Sequence, residues 1–326
     1  MTETADRTMV PGYTHLPGNH CGSVALRNLL GFHGCQISEE MAFGLGAGAC
    51  FFYFSLDGMS PSRFTNGRAA RLEESFLELT GAPLRLRTDS DPKRSWELAR
   101  ESVDSGRPAL LLTDLYYLDH YGKSAHFPGH AVVLVGYDDE NAWLSDTAFE
   151  ELQATTIEHL AEARHSQHPA YPLEGQMVDL PEGAELSDPR AAAPAAIARA
   201  AKEMLEPTMG EFQGIPALTR LAEEVGEWPE AAEDWQWCAR FLYQVIERRG
   251  TGGGNFRRMY SRFLEEAGRD EAALAAEASE RWSGLAEGAR AASEPDEPKP
   301  NLWKAMATEA ARVLEAEQRL WTALGP

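Results

Sequence analysis

The apolar positions of the chain fall into two textures. In the first half, short apolar runs alternate with loops rich in Gly, Pro and Asp; in the second half, apolar residues recur every three or four positions. Val24, Ala25 and Leu26 followed by Leu29 and Leu30 form one helical stripe, which opens at Cys21 behind Pro17, Gly18 and Asn19 and stops at Gly34. Ser38, Glu39, Glu40 and Met41 mark a second helix start, and residues 44–54 run from glycine-rich to aromatic, as a strand or pocket wall does. Residues 63–100 interleave eight basic residues with Glu73, Glu74 and Glu78 and predict a solvated amphipathic helix, with a docking patch for an acidic protein as the second reading. Residues 108–118 and 130–137 are continuous apolar runs of strand type. Residues 138–141 have turn chemistry and residues 142–146 return, which predicts an antiparallel hairpin in the centre of a sheet.

Pro181, Pro189 and Pro194 frame an Ala- and acid-rich passage, beyond which helical stripes run through 217–225, 231–249, 256–267, 271–291 and 302–324. The pattern predicts an α+β domain over residues 1–180 followed by an all-helical domain over residues 181–326.

Composition narrows the class. The apolar and charged fractions, 43% and 25%, are those of a globular protein, which excludes wholesale disorder. The formal charge of −21 argues against general nucleic-acid binding, which needs a basic face. No run of 18 apolar residues appears and the first residues lack an apolar leader core, so no membrane segment is expected. Cys21, Cys35, Cys50 and Cys238 form no C-x-x-C pair, so neither a zinc site nor a disulfide framework is indicated, and the expected setting is the reducing cytoplasm.

Cys21 falls at a helix N-terminus, where unpaired N–H groups and the dipole favour a thiolate. Position alone also allows a small buried cysteine. His130 opens its strand just after Pro128 and Gly129, and Asp146 closes the partner strand, so the two can meet at one sheet edge. A cysteine–histidine–aspartate relay needs that order and those placements. His126 is a rival base, weaker for its place in a loop, and Pro128 and Gly129 rule out a helical pair of metal ligands with His130. His20 adjoins the nucleophile in a supporting place.

The run NHCGSVALRNLL, with SEEMAFGLGAGACFFYF, PALLLTDLYYL and GHAVVLVGYDDENAWLSD, resembles the N-terminal domain of the butirosin-biosynthesis acyltransferase family. That domain is itself similar to papain-like cysteine peptidases of the bacteriocin-processing type. GIPALTRLAEEV and FLYQVIERRGTGGGNFRRMYSRFLEEA resemble the helical domain that accompanies it and shapes the acceptor or carrier site. The resemblance implies a papain-like fold, Cys21 as the acylated thiol, His130 as base and acid, and Asp146 as orienter. It implies transfer of an acyl or aminoacyl group from the phosphopantetheine of an acyl or peptidyl carrier protein to a small-molecule amine, with no cofactor bound by the enzyme itself. A hydrolase with the same triad, or a non-catalytic binding protein of the same assembly, is the alternative. Papain-like enzymes place a glutamine before the nucleophile. Here Tyr13, Thr14, His15 and Asn19 stand there, leaving the Cys21 N–H as one oxyanion donor and His15 or Asn19 as candidates for the other.

A glycine-rich turn flanked by arginines, residues 247–260, can present N–H groups and guanidinium forks to a phosphate. Arg249, Gly252, Gly253 and Arg257 are therefore candidates for the phosphopantetheine phosphate or the carrier surface. The alternative is a helix–helix turn whose arginines pair within this acidic chain. Trp228, Trp235 and Trp237 look exposed and leave room for a homodimer.

Overall fold

The structure, a computed structural model, describes residues 7–169 and 171–325. They form two compact units. One comprises the chain up to Ala42 together with Phe76–Pro189; the other comprises Phe43–Ser75 and the chain from Arg190 onward. The sequence pattern places one boundary near residue 180; in the structure residues 43–75 also group with the chain from Arg190 onward.

The strands are β1 (Thr8–Met9), β2 (Ala49–Ser55), β3 (Arg63–Arg68), β4 (Arg85–Arg87), β5 (Ala109–Asp114), β6 (Pro128–Tyr137), β7 (Asn141–Ser145), β8 (Gln153–Thr156) and β9 (Met177–Asp179). In the first unit they make an antiparallel sheet in the order β4-β9-β5-β6-β7-β8, with β1 also paired to β6. β5 and β6 read as continuous apolar runs because both of their faces are buried. Ala109, Leu111, Val132 and Leu134 gather with Val103 of helix Pro92–Asp104 and Leu160 of helix Ile157–Arg164. Helix α1 (Cys21–Phe32) packs on β5 and β6 through its apolar stripe, in which Leu26, Leu29 and Leu30 are fully buried. Each such leucine contributes about 1.5–3 kcal/mol. Its end is a Schellman turn: Gly34 takes φ +86°, its N–H reaches the Gly31 carbonyl at 3.1 Å, and the Cys35 N–H reaches the Leu30 carbonyl at 3.0 Å. The expected hairpin is present as β6 and β7, in register at Val133 and Ser145.

Two local expectations fail. The run 108–118 is strand only to Asp114, whose carboxylate accepts the Tyr116 N–H and turns the chain into two short 3-10 turns, Leu115–Tyr117 and Asp119–Tyr121. Residues 63–100 are not one helix. They supply β3 and β4 and two helices, Leu72–Thr80 and Pro92–Asp104; the second is capped by Asp91 with Pro92 in its first turn.

In the second unit, β2 and β3 form an antiparallel pair, and every element from residue 190 onward is helical among the described residues. The Ala-rich passage supplies an unforeseen helix, Ala193–Leu205, buried through Ala196, Ile197, Ala200 and Met204. Trp228 is fully buried, donating its indole N–H to Tyr53, so it exposes nothing to a second copy. Among the described residues no helix is long and apolar enough to cross a membrane.

Candidate active site

Cys21 is the first residue of α1 and His20 is its N-cap, with the imidazole Nδ1 accepting the Ser23 N–H at 3.2 Å. The loop ahead of it is clamped by Glu39, the first residue of helix α2 (Glu39–Leu45). Its carboxylate accepts the backbone N–H of His20 at 2.7 Å and of Asn19 at 3.0 Å. A Cβ on Gly18 would lie 2.4 Å from that carboxylate and 2.6 Å from Val24, so only glycine fits there. Burial pushes the Glu39 carboxyl above its ordinary value, against the backbone hydrogen bonds that favour its charge.

His130 enters from β6 at a bulge. Thr113 pairs with His130 and Asp114 with Pro128, so Gly129, at φ +85°, is the extra residue. The imidazole Nε2 lies 3.0 Å from Asp146 Oδ2, and the ring also hydrogen-bonds Cys21. With Nε2 committed to the carboxylate, Nδ1 is the nitrogen left for the sulfur. Cys21, His130 and Asp146 are all buried, at 8%, 5% and 0% exposure. The structure therefore brings together the three residues that the sequence pattern singles out.

Their charges reinforce one another. Burial pulls the His130 imidazole down, but the Asp146 charge and hydrogen bond, and then Cys21, outweigh it and hold the ring above its ordinary pKa. Burial likewise pushes Asp146 up, yet the His130 charge and the hydrogen bonds from His120 and His130 keep its carboxyl well below the usual range. Such a site can hold a thiolate against an imidazolium.

The other candidates are placed differently. Both ring nitrogens of His15 are taken, Nδ1 by Ser145 Oγ at 2.7 Å and Nε2 by the Phe149 carbonyl at 2.8 Å, so His15 is corrected from oxyanion donor to brace. The Asn19 side-chain amide is turned to Glu39 at 3.3 Å. His126 is removed as a rival base: its Nδ1 sits 2.7 Å from a different carboxylate, Asp114. The phosphate cradle is also corrected. Arg257 is fully buried, paired with buried Glu317 at 2.8 Å and donating to the carbonyls of Cys50 and Gly67. Arg249 donates to Gln244 and lies over the Phe241 ring. The Gly253 N–H is spent on Thr251 Oγ and the Gly254 N–H on Glu247, while a Cβ on Gly253 would meet Arg258. With Gly252 at φ +65°, the glycines serve a tight turn that satisfies itself.

Three residues of the site went unforeseen: Glu39, His120 and Tyr121. His120 Nε2 is 2.9 Å from Asp146 Oδ2 and the Tyr121 hydroxyl is 3.1 Å from Oδ1. Both imidazoles aim at the same carboxylate, not at a shared ion. Among the described residues no group of three or more His, Cys, Asp or Glu side chains is placed to hold a metal.

Residues 20–147 match the family model described as butirosin biosynthesis protein H, N-terminal, and residues 158–324 match a domain of unknown function, DUF4872. No curated protein matches the sequence. Among solved structures, a protein described as a C39-like peptidase from Bacillus anthracis aligns at 14% identity and a TM-score of 0.38, over 55% of this chain and 100% of that one.

Proposed function

We propose that this chain, which belongs to the family joining a butirosin biosynthesis protein H N-terminal domain to DUF4872, is a cysteine-dependent acyltransferase of specialised-metabolite biosynthesis. It takes an acyl or aminoacyl group from the phosphopantetheine thioester of a carrier protein and delivers it to an amine or hydroxyl. The observation that carries this reading is the buried relay in which Cys21 meets His130 and His130 Nε2 meets Asp146 at 3.0 Å, at the start of a helix.

In the first half-reaction the Cys21 thiolate attacks the thioester carbonyl, a C–S bond forms, and the bond to the phosphopantetheine sulfur breaks. That sulfur leaves with the proton held on His130 Nδ1. One thioester replaces another, so this exchange costs little. In the second half-reaction the acceptor amine attacks the acyl-cysteine carbonyl, His130 takes the amine proton, and the Cys21 thiolate departs beside the regenerated imidazolium. Asp146 keeps the tautomer and supports the charge throughout. The Cys21 N–H, at the open end of the helix, is the donor for the oxyanion. We place the reaction in the cytoplasm, where a carrier partner is loaded; the four cysteines form no disulfide.

The deciding experiment incubates the protein with acyl-loaded carrier protein in the presence and absence of amine acceptors. An acylated amine whose formation is lost in Cys21→Ala is expected. Free acid as the sole product, whatever the acceptor, would make the enzyme a hydrolase. Full product formation after Cys21 is alkylated would overturn the catalytic reading altogether.

A further inference from the structure

Resting on the relay described above, we propose that His120 is a positioning residue of this site: a second imidazole that shares Asp146 with His130 and sets how strongly the carboxylate holds the His130 proton. Asp146 Oδ2 accepts from two rings, His120 Nε2 at 2.9 Å and His130 Nε2 at 3.0 Å, while Oδ1 accepts the Tyr121 hydroxyl at 3.1 Å. A carboxylate that low in pKa can only accept, so both rings carry a proton on Nε2. That orients two rings with one acceptor. His120 Nδ1 is buried and meets no hydrogen-bond partner, and its side chain is only 5% exposed. The ring stands edge-on against Phe149, with centroids 5.0 Å apart. His120 is thus built to donate once, to Asp146, and to exclude water from the far side of the carboxylate.

The groups facing this carboxylate are few. Cys21 comes from α1, His130 from β6, and His120 and Tyr121 from the second 3-10 turn. His15 lies behind Ser145, bonded to its hydroxyl. Asp119, next to His120, is spent on Thr155, the Thr156 N–H and His159. Each donor to Asp146 draws off carboxylate charge, so removing His120 leaves more of it on His130 and makes that ring harder to deprotonate.

The test is the pH dependence of Cys21 alkylation by iodoacetamide, followed by intact mass, which needs neither carrier nor acceptor. In the wild type, alkylation of the ion-paired thiolate is followed by a second rise at alkaline pH as His130 loses its proton. His120→Leu moves that second rise to higher pH by about one unit, and His120→Gln, which keeps a donor, restores it. Superimposable profiles, or a shift to lower pH, in a variant with a native far-UV spectrum would overturn the proposal. Should His120→Leu not fold, nitrogen-15 spectra of the wild-type histidines decide: a proton on Nε2 of both rings is expected, with His120 Nδ1 bare, and a His120 ring protonated on Nδ1 with Nε2 bare overturns it. The shift can appear even if no acyl group is ever transferred, so failure of the acyltransferase reading and failure of this one are separable.

Discussion

His130 and Asp146 meet at 3.0 Å at the end of the β6–β7 hairpin where β6 begins and β7 stops, and both are buried. Sixteen positions apart in the chain, they are brought together by a hairpin register and by a bulge at Gly129. Asp146→Asn keeps the size but replaces one acceptor oxygen with a donor, facing three groups that also donate. The His130 tautomer is then lost, and Cys21 acylation by a thioester should slow by about 10²–10⁴-fold. A variant acylated at the wild-type rate would show that the carboxylate does not orient the base.

The same pair ties stability to pH. His130 is held above its ordinary 6.5, so its contribution is complete below about that pH and is lost as pH rises through the raised value. Asp146 is held below its ordinary 3.8, so its contribution is complete above that pH and is lost as pH falls toward the lowered value. The melting temperature of the wild type minus that of Asp146→Asn should therefore be largest between these limits and shrink on both sides. A difference that stays flat from acid to alkaline pH would contradict the pairing.

The loop ahead of the nucleophile makes a steric prediction. Gly18→Ala places a methyl group against the Glu39 carboxylate and Val24, and it should cost about 1–3 kcal/mol and slow Cys21 alkylation. Chemical denaturation together with the alkylation rate checks both. An alanine tolerated without change would mean that Glu39 does not hold the Cys21 loop.

Arg257 belongs to the core of the second unit. Its bidentate pair with Glu317 is joined by the indole N–H groups of Trp282 and Trp321. Arg257→Met alone strands a buried carboxylate and should destabilise by about 3–5 kcal/mol. Arg257→Met with Glu317→Leu should recover only part of it, because the two indole N–H groups and the Cys50 and Gly67 carbonyls then lose their partners. Equilibrium unfolding gives the comparison. A single variant of native stability that only weakens carrier binding would return Arg257 to the role of a ligand.

How much of this was legible follows from which interactions are local. The helix at Cys21 with its Gly34 stop, the β6–β7 hairpin and the helical stripes of the second half are written in period and turn chemistry, and the structure contains them. The positions of Cys21, His130 and Asp146 could be read from element ends. Residues 63–100 could not, because β3 and β4 are too short and too charged to show a two-residue period against the arginines around them. His120 and Tyr121 lie in a 3-10 turn whose direction is set by the Asp114 carboxylate, and nothing near them in sequence announces Asp146. Arg257 misled for the opposite reason: its neighbours are glycines and arginines, while its partner lies 60 positions away on the last helix. Glu39 looked like a helix start, and it is one; its second task, clamping a loop 19 residues earlier, is tertiary.

The most direct measurement mixes the protein with carrier protein bearing a thioester-linked acyl group, quenches in acid within one turnover, and maps the adduct by peptide mass. The account predicts one acyl group on Cys21, absent from Cys21→Ala and strongly slowed in Asp146→Asn. An unmodified Cys21 across several loaded carriers, or an adduct at Cys35, Cys50 or Cys238 instead, would contradict it.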